Sequence, residues 1–111
     1  MRFRLFAVAA VCALCAPGIV SARGYTVYGA GAASCGTWTT DRAHHLDADL
    51  LGWVAGFVTA SGYYDVDGAL KQEDTNALDA YVDAYCAAHP LDRVEIATQH
   101  LVDDLMDKPT Q

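Results

Sequence analysis

Apolar residues in the second half of this chain fall into three runs, each repeating at three- and four-residue steps. Leu46, Leu50, Trp53, Val54, Phe57 and Val58 form the first, the stripe of one face of an α-helix. The spacing predicts a helix from Thr40 or Asp41, with Thr40 as its cap, ending at Ser61-Gly62. Gly52 and Gly56, four apart on it, predict tight packing against another helix. Leu78, Tyr81, Val82, Tyr85 and Cys86 form the second stripe, on a helix beginning near Asp74, whose side chain can cap it. His89-Pro90 closes that helix, because proline pushes the preceding residue out of the helical region. Pro90 suits the first turn of a third helix, with Asp92 near its positive end and Leu91, Val94, Ala97, Leu101 and Leu105 on its buried face. The predicted fold is all-α, a small bundle of three main helices. Trp38, Trp53, Phe57, Tyr81 and Tyr85 supply most of the core's bulk, and the same rings are the candidate surface for a client or partner. Each helix is too short to persist alone in water, so packing has to hold it.

Ahead of the bundle, Tyr25-Thr26-Val27-Tyr28 favours an extended segment that the glycines of Gly29-Ala30-Gly31 end quickly. It reads as an extended, flexible arm leading to Cys35. Earlier still, Arg2 and Arg4 precede an apolar run from Leu5 to Cys15, then Pro17-Gly18 and Val20-Ser21-Ala22. A basic start, a short apolar stretch and small residues before a cut are the parts of a secretory signal. The run is shorter than the roughly 20 residues that span a bilayer. The expected organisation is a signal peptide over 1–22, an arm over 23–34, a helical domain over 35–107 and a tail over 108–111, with export to the periplasm.

Charge sharpens this. The whole chain carries a formal −7; without Arg2 and Arg4, five basic side chains face fourteen acidic ones, a formal −9. Such a balance argues against nucleic-acid or anionic-membrane partners, which need cationic patches, and leaves a protein partner as the expectation. Two of the four cysteines, Cys12 and Cys15, leave with the signal. The remaining pair, in an oxidising compartment, predicts a disulfide between Cys35 and Cys86. Closing a loop of about fifty residues contributes roughly 4 kcal/mol in the chain-entropy treatment, a large share for so small a domain.

Candidate chemistry is sparse. Asp65-Val66-Asp67-Gly68 followed by Asp74 partly overlays a calcium loop, with Asp65, Asp67 and Asp74 at ligand positions. Tyr63, however, stands where the first ligand belongs, Lys71 where an oxygen is often used, and Asp74 is shorter than the usual bidentate Glu. A solvated Asp-Gly turn followed by an Asp helix cap accounts for the same residues. His45 with Asp49, and His100 with Asp104, share helix faces but lack a third zinc ligand. No nucleophile-elbow pattern occurs, and neither cysteine sits in a Cys-x-x-Cys pair. No enzyme activity and no cofactor are expected.

The order Cys35-Gly36-Thr37-Trp38, a central apolar helix, then Tyr85-Cys86-Ala87-Ala88-His89-Pro90 and a closing amphipathic helix resembles two groups of small bacterial periplasmic proteins. In the Hde-type acid-stress chaperones a Cys-x-x-aromatic opens the domain and a Cys-x-x-x-Pro joins helices near its end. The Rap/Tai-type immunity proteins share the size, export and one-disulfide helical build. The first resemblance implies an acid-activated holdase and the second an inhibitor of a cell-wall amidase toxin. The arm from Tyr25 to Ala33 and the Tyr63-Tyr64 loop cannot be assigned to either group.

Overall fold

A computed structural model of the chain describes residues 24–107; the expected leader over 1–22, Arg23 and the tail over 108–111 lie outside the described residues. Among the described residues four α-helices follow one another: α1 (Cys35–His44), α2 (Ala48–Tyr64), α3 (Thr75–Ala88) and α4 (Val94–Asp107), preceded by a 3₁₀ turn at Gly29–Ala32. The fold is all-α with one disulfide, Cys35–Cys86, whose Cα atoms lie 4.7 Å apart.

The predicted first helix is two. α1 starts at Cys35 because the Ser34 hydroxyl accepts the Thr37 N–H at 3.1 Å, satisfying one of the free amides of a helix start. It stops at His45, whose left-handed backbone (φ 58°) lets the next amide, that of Leu46, return to the Asp41 carbonyl at 2.9 Å. The break throws Leu46 off its stripe and leaves it 73% exposed, so it is no part of the core. α2 then runs past Ser61-Gly62 to Tyr64, the Ser61 hydroxyl donating back to the Phe57 carbonyl at 2.9 Å. The tyrosine pair read as loop is therefore the last turn of a helix.

α3 begins as its sequence suggests, with the Asp74 carboxylate accepting the Ala77 N–H at 2.9 Å. The last helix begins later than Pro90. Residues 90–93 run alongside the start of α1, with Cys35 N donating to Asp92 O at 2.7 Å and Val94 N to Ala33 O at 2.9 Å. This short antiparallel bridge between Ser34 and Arg93 occupies backbone groups that a helical turn would have used. Leu91, placed on the buried face by periodicity, points to water at 94% exposure.

The core is built from Trp38 on α1, Leu50, Val54 and Val58 on α2, Leu78, Val82 and Cys86 on α3, and the Val94–Leu105 face of α4. α3 packs on the other three helices, and α2 packs on α3 and α4. Gly52 and Gly56 make no tight crossing: both are exposed, and a Cβ on either would meet no neighbour within 4 Å. The segment read as a flexible arm is docked. The Trp53 N–H donates to the Tyr28 carbonyl at 2.8 Å, and a Cβ on Gly31 would come within 2.2 Å of the Trp53 ring. Only glycine lets the backbone lie on that ring. Among the described residues no helix is long and apolar enough to cross a membrane.

Candidate functional site

The antiparallel run of α2 and α3 gives the bundle two chemically different ends. At the first, the start of α2 meets the end of α3 through Arg42 of α1. Its Nε and Nη2 donate to the two Asp83 oxygens at 2.9 and 2.7 Å, and its Nη1 donates to Asp47 at 3.0 Å. The Trp38 N–H, from a fully buried ring, donates to Asp83 Oδ1 at 2.7 Å, and Arg42 lies 5.8 Å from that ring's centre. Hydrogen bonds from Arg42 hold the Asp83 and Asp47 carboxyls below the usual carboxylate range and raise the guanidinium's own pKa. One turn earlier on α3, Asp79 is buried and one of its oxygens has no partner; burial pushes its carboxyl upward, against the pull of Arg42. The hollow beside this network, about 420 Å³ between Thr39, Arg42, His45, Asp83 and Ala87, therefore has a cation already neutralised by two carboxylates.

A second buried carboxylate lies under the docked arm. Glu95, 1% exposed on the first turn of α4, accepts from the Tyr25 hydroxyl and from Gln99 through one oxygen. Its other oxygen makes no hydrogen bond and lies 3.5 Å from an Arg93 nitrogen, an ion-pair distance. The Tyr25 hydroxyl thus ties the arm to Glu95, an acidic residue in the first turn of α4, where the helix dipole favours it.

The five rings singled out in the sequence divide. Trp38 is core. Trp53 and Phe57 stack on each other, centroids 5.3 Å apart, half-buried beneath the arm. Tyr81 and Tyr85 are half-buried with their hydroxyls turned outward, donating to Asp104 and Asp92, each at 2.7 Å. Burial, then the bond to Asp104, pushes the Tyr81 phenol up to about 12. The Tyr85 ring also stacks with His89 (4.3 Å) and His100 (5.1 Å).

The opposite end offers surface. Tyr63 and Tyr64, 82% and 77% exposed, stand edge to face with centroids 5.0 Å apart, and Val66 beside them is 95% exposed. On α2, up to Gly62 just before them, a cleft of about 380 Å³ opens toward the 65–74 loop and α3, with Val58, Leu70 and Leu78 as its apolar lining and Gln72, Glu73 and Thr75 at its polar wall. The C-terminal end of α4 closes on the same loop, Lys71 N donating to Leu105 O at 3.4 Å. Residues 65–74 and 103–107 bring seven carboxylates here against one described basic residue, Lys71. α2 and α4 both end here, and neither has a basic residue in its last turn. Asp65, Asp67 and the α4 carboxylates thus lie by the negative ends of α2 and α4 and oppose those dipoles, whereas Glu73 and Asp74 lie at the favourable start of α3.

The calcium candidates are brought to this end but not into a cage. Asp65 braces its own loop, accepting the Leu70 N–H at 2.7 Å and the Asp67 N–H at 3.3 Å, and Asp74 caps α3. Among the described residues no group of three or more His, Cys, Asp or Glu side chains is placed to hold a metal ion. Periodicity missed the Arg42–Asp83 clamp and the burial of Asp79 and Glu95, since each depends on a partner far along the chain. It also left Tyr63 and Tyr64 in an undifferentiated loop, although a tyrosine pair ahead of Asp-Val-Asp-Gly is itself a signal of exposed aromatic surface. The chain matches no protein-family model, no curated protein and no solved structure.

Proposed function

We propose that this chain is an exported, non-enzymatic binding protein that neutralises a partner protein, in the manner of an immunity protein blocking a toxin enzyme. The observation that carries the reading is the tyrosine end: two preorganised, exposed aromatic rings set among seven carboxylates. Tyrosine is enriched in the energetically dominant part of protein interfaces, and an acidic rim raises association rates with cationic partners. The clamped, cross-linked opposite end suits such a role, because a rigid scaffold orders little on binding. The test is deletion of the gene in cells challenged by neighbours that deliver toxin, with a pull-down from periplasmic extract. Heightened sensitivity and recovery of a basic enzyme are expected; unchanged sensitivity with no recovered partner eliminates the reading.

A second reading, an acid-activated holdase, has its own observation. The Arg42 clamp depends on two ionised carboxylates, and the half-buried Trp53–Phe57 pair lies under an arm tied to Glu95. Protonation of Asp47 and Asp83 in strong acid removes the clamp and loosens the bundle, uncovering aromatic surface for unfolded clients. Light scattering of an aggregating client in strong acid tests it; equal aggregation with and without the protein ends it.

A further inference from the structure

We propose that the cleft and tyrosine pair at the end of α2 form a docking surface for a basic, partly apolar segment of a partner protein. In this arrangement the segment's apolar residues sit on Val58, Leu70 and Leu78, and its Arg or Lys side chains lie against Tyr63, Tyr64 and the surrounding carboxylates. This rests on the binding-protein reading and specifies where and what it binds.

Three features select that occupant. The cleft, about 380 Å³, falls in the lower part of the range typical of ligand clefts (about 300–1,000 Å³), so it takes a few side chains rather than a whole domain face. The two rings, which follow the cleft-lining Gly62 on the last turn of α2, are exposed and already held edge to face, leaving a π-face free for a guanidinium or ammonium group, with little ordering left to do. The charge around them is predominantly negative. Glu73 is on the cleft wall, Asp67 lies beyond Val66, and the last turn of α4 adds Asp103, Asp104 and Asp107. Lys71, the basic residue in that wall, has interactions of its own and leaves the balance strongly negative. A second copy of this chain would bring a like-charged surface to the same place, and a nucleic acid or anionic lipid would be repelled. An uncharged apolar peptide would fill the cleft and leave the carboxylates unmatched.

The probe is an amidated peptide of alternating arginine and leucine, titrated into the isotope-labelled exported chain and followed by NMR, beside a peptide of alternating glutamate and leucine. Saturable shifts confined to residues 58–74 and the last turn of α4 are expected with the arginine peptide, and none with the glutamate peptide. Y63S/Y64S should weaken the affinity by about tenfold or more, whereas D41N/D49N, which removes the same kind of charge elsewhere, should leave it little changed. Shifts spread over carboxylates across the whole surface, equal losses from both double variants, or no saturation overturn the proposal. A Y63S/Y64S chain that still fully protects cells from toxin sinks this docking site and leaves the neutralising role standing. A deletion without phenotype sinks that role, while the peptide titration still decides the surface.

Discussion

At one end of this bundle a buried indole, a guanidinium and two carboxylates are locked together beside a disulfide; at the other, two tyrosines stand in water next along α2 from a cleft-lining glycine. Both ends are rich in acid, yet the charge is used in opposite ways. Asp83 and Asp47 have their cation and hold three helices in register, whereas most of the acids around Tyr63 face solvent at helix ends that repel them. The first end stabilises, and the second keeps an excess of negative charge facing solvent. The contrast teaches that net charge alone says little about role: partnering decides whether a carboxylate is structural or free to recruit.

Removing the cross-link is the strongest way to break the contrast. Replacing Cys35 and Cys86 by alanine should lower unfolding free energy by about 4 kcal/mol, read as a fall in the denaturant midpoint. Gly31→Val should cost about 1–3 kcal/mol by overpacking, because the new side chain meets the Trp53 ring, and should restore solvent exposure to Trp53 fluorescence. Asp83→Ala strands the buried Trp38 N–H along with Arg42 and should also cost about 1–3 kcal/mol in chemical unfolding. Acid sharpens the same division. Asp83 and Asp47 have depressed folded-state values, so their stabilisation is complete above the ordinary carboxylate pKa of about 4 and drains away as pH falls through those depressed values. Asp79 runs the other way. Its raised carboxyl weakens the fold when ionised at neutral pH, and stability returns as pH falls from that raised value toward the ordinary one. Melting temperature against pH should show a flattened acid limb for Asp83→Asn and a higher neutral-pH plateau for Asp79→Asn. At the far end, Y63S/Y64S should shift stability by no more than about 0.5 kcal/mol, since neither ring supports the core.

Much of the frame was legible in the sequence. Asp74 at the head of α3, the Leu78–Val82–Cys86 face and the pairing of Cys35 with Cys86 follow from local chemistry and from counting thiols. The joint at His45 was hidden because the apolar stripe starts directly after it, at Leu46, and no glycine or proline marks the break. Its left-handed turn is favoured by α1 returning to meet α3, not by a glycine or proline in the chain. Leu46 and Leu91 kept the right spacing in segments that turned out to be a helix break and a backbone bridge, where periodicity has no meaning. The acidic tyrosine end was legible only as composition. What gathers it is the meeting of α2, α4 and the 65–74 loop, and that is a property of topology rather than of any window of residues.

The bond between residues 35 and 86 encloses α1, α2 and α3 in a covalent ring and leaves α4 outside it. Within the ring the unfolded chain is restricted; α4, which supplies Val94, Ala97, Leu101 and Leu105 to the interior, keeps its full freedom once detached. On the ribosome the ring has all its parts before the stave that seals it has been made. In the finished molecule, α4 is therefore an α-helix whose departure the cross-link does not restrain, and its amides should exchange with deuterium ahead of those in α3.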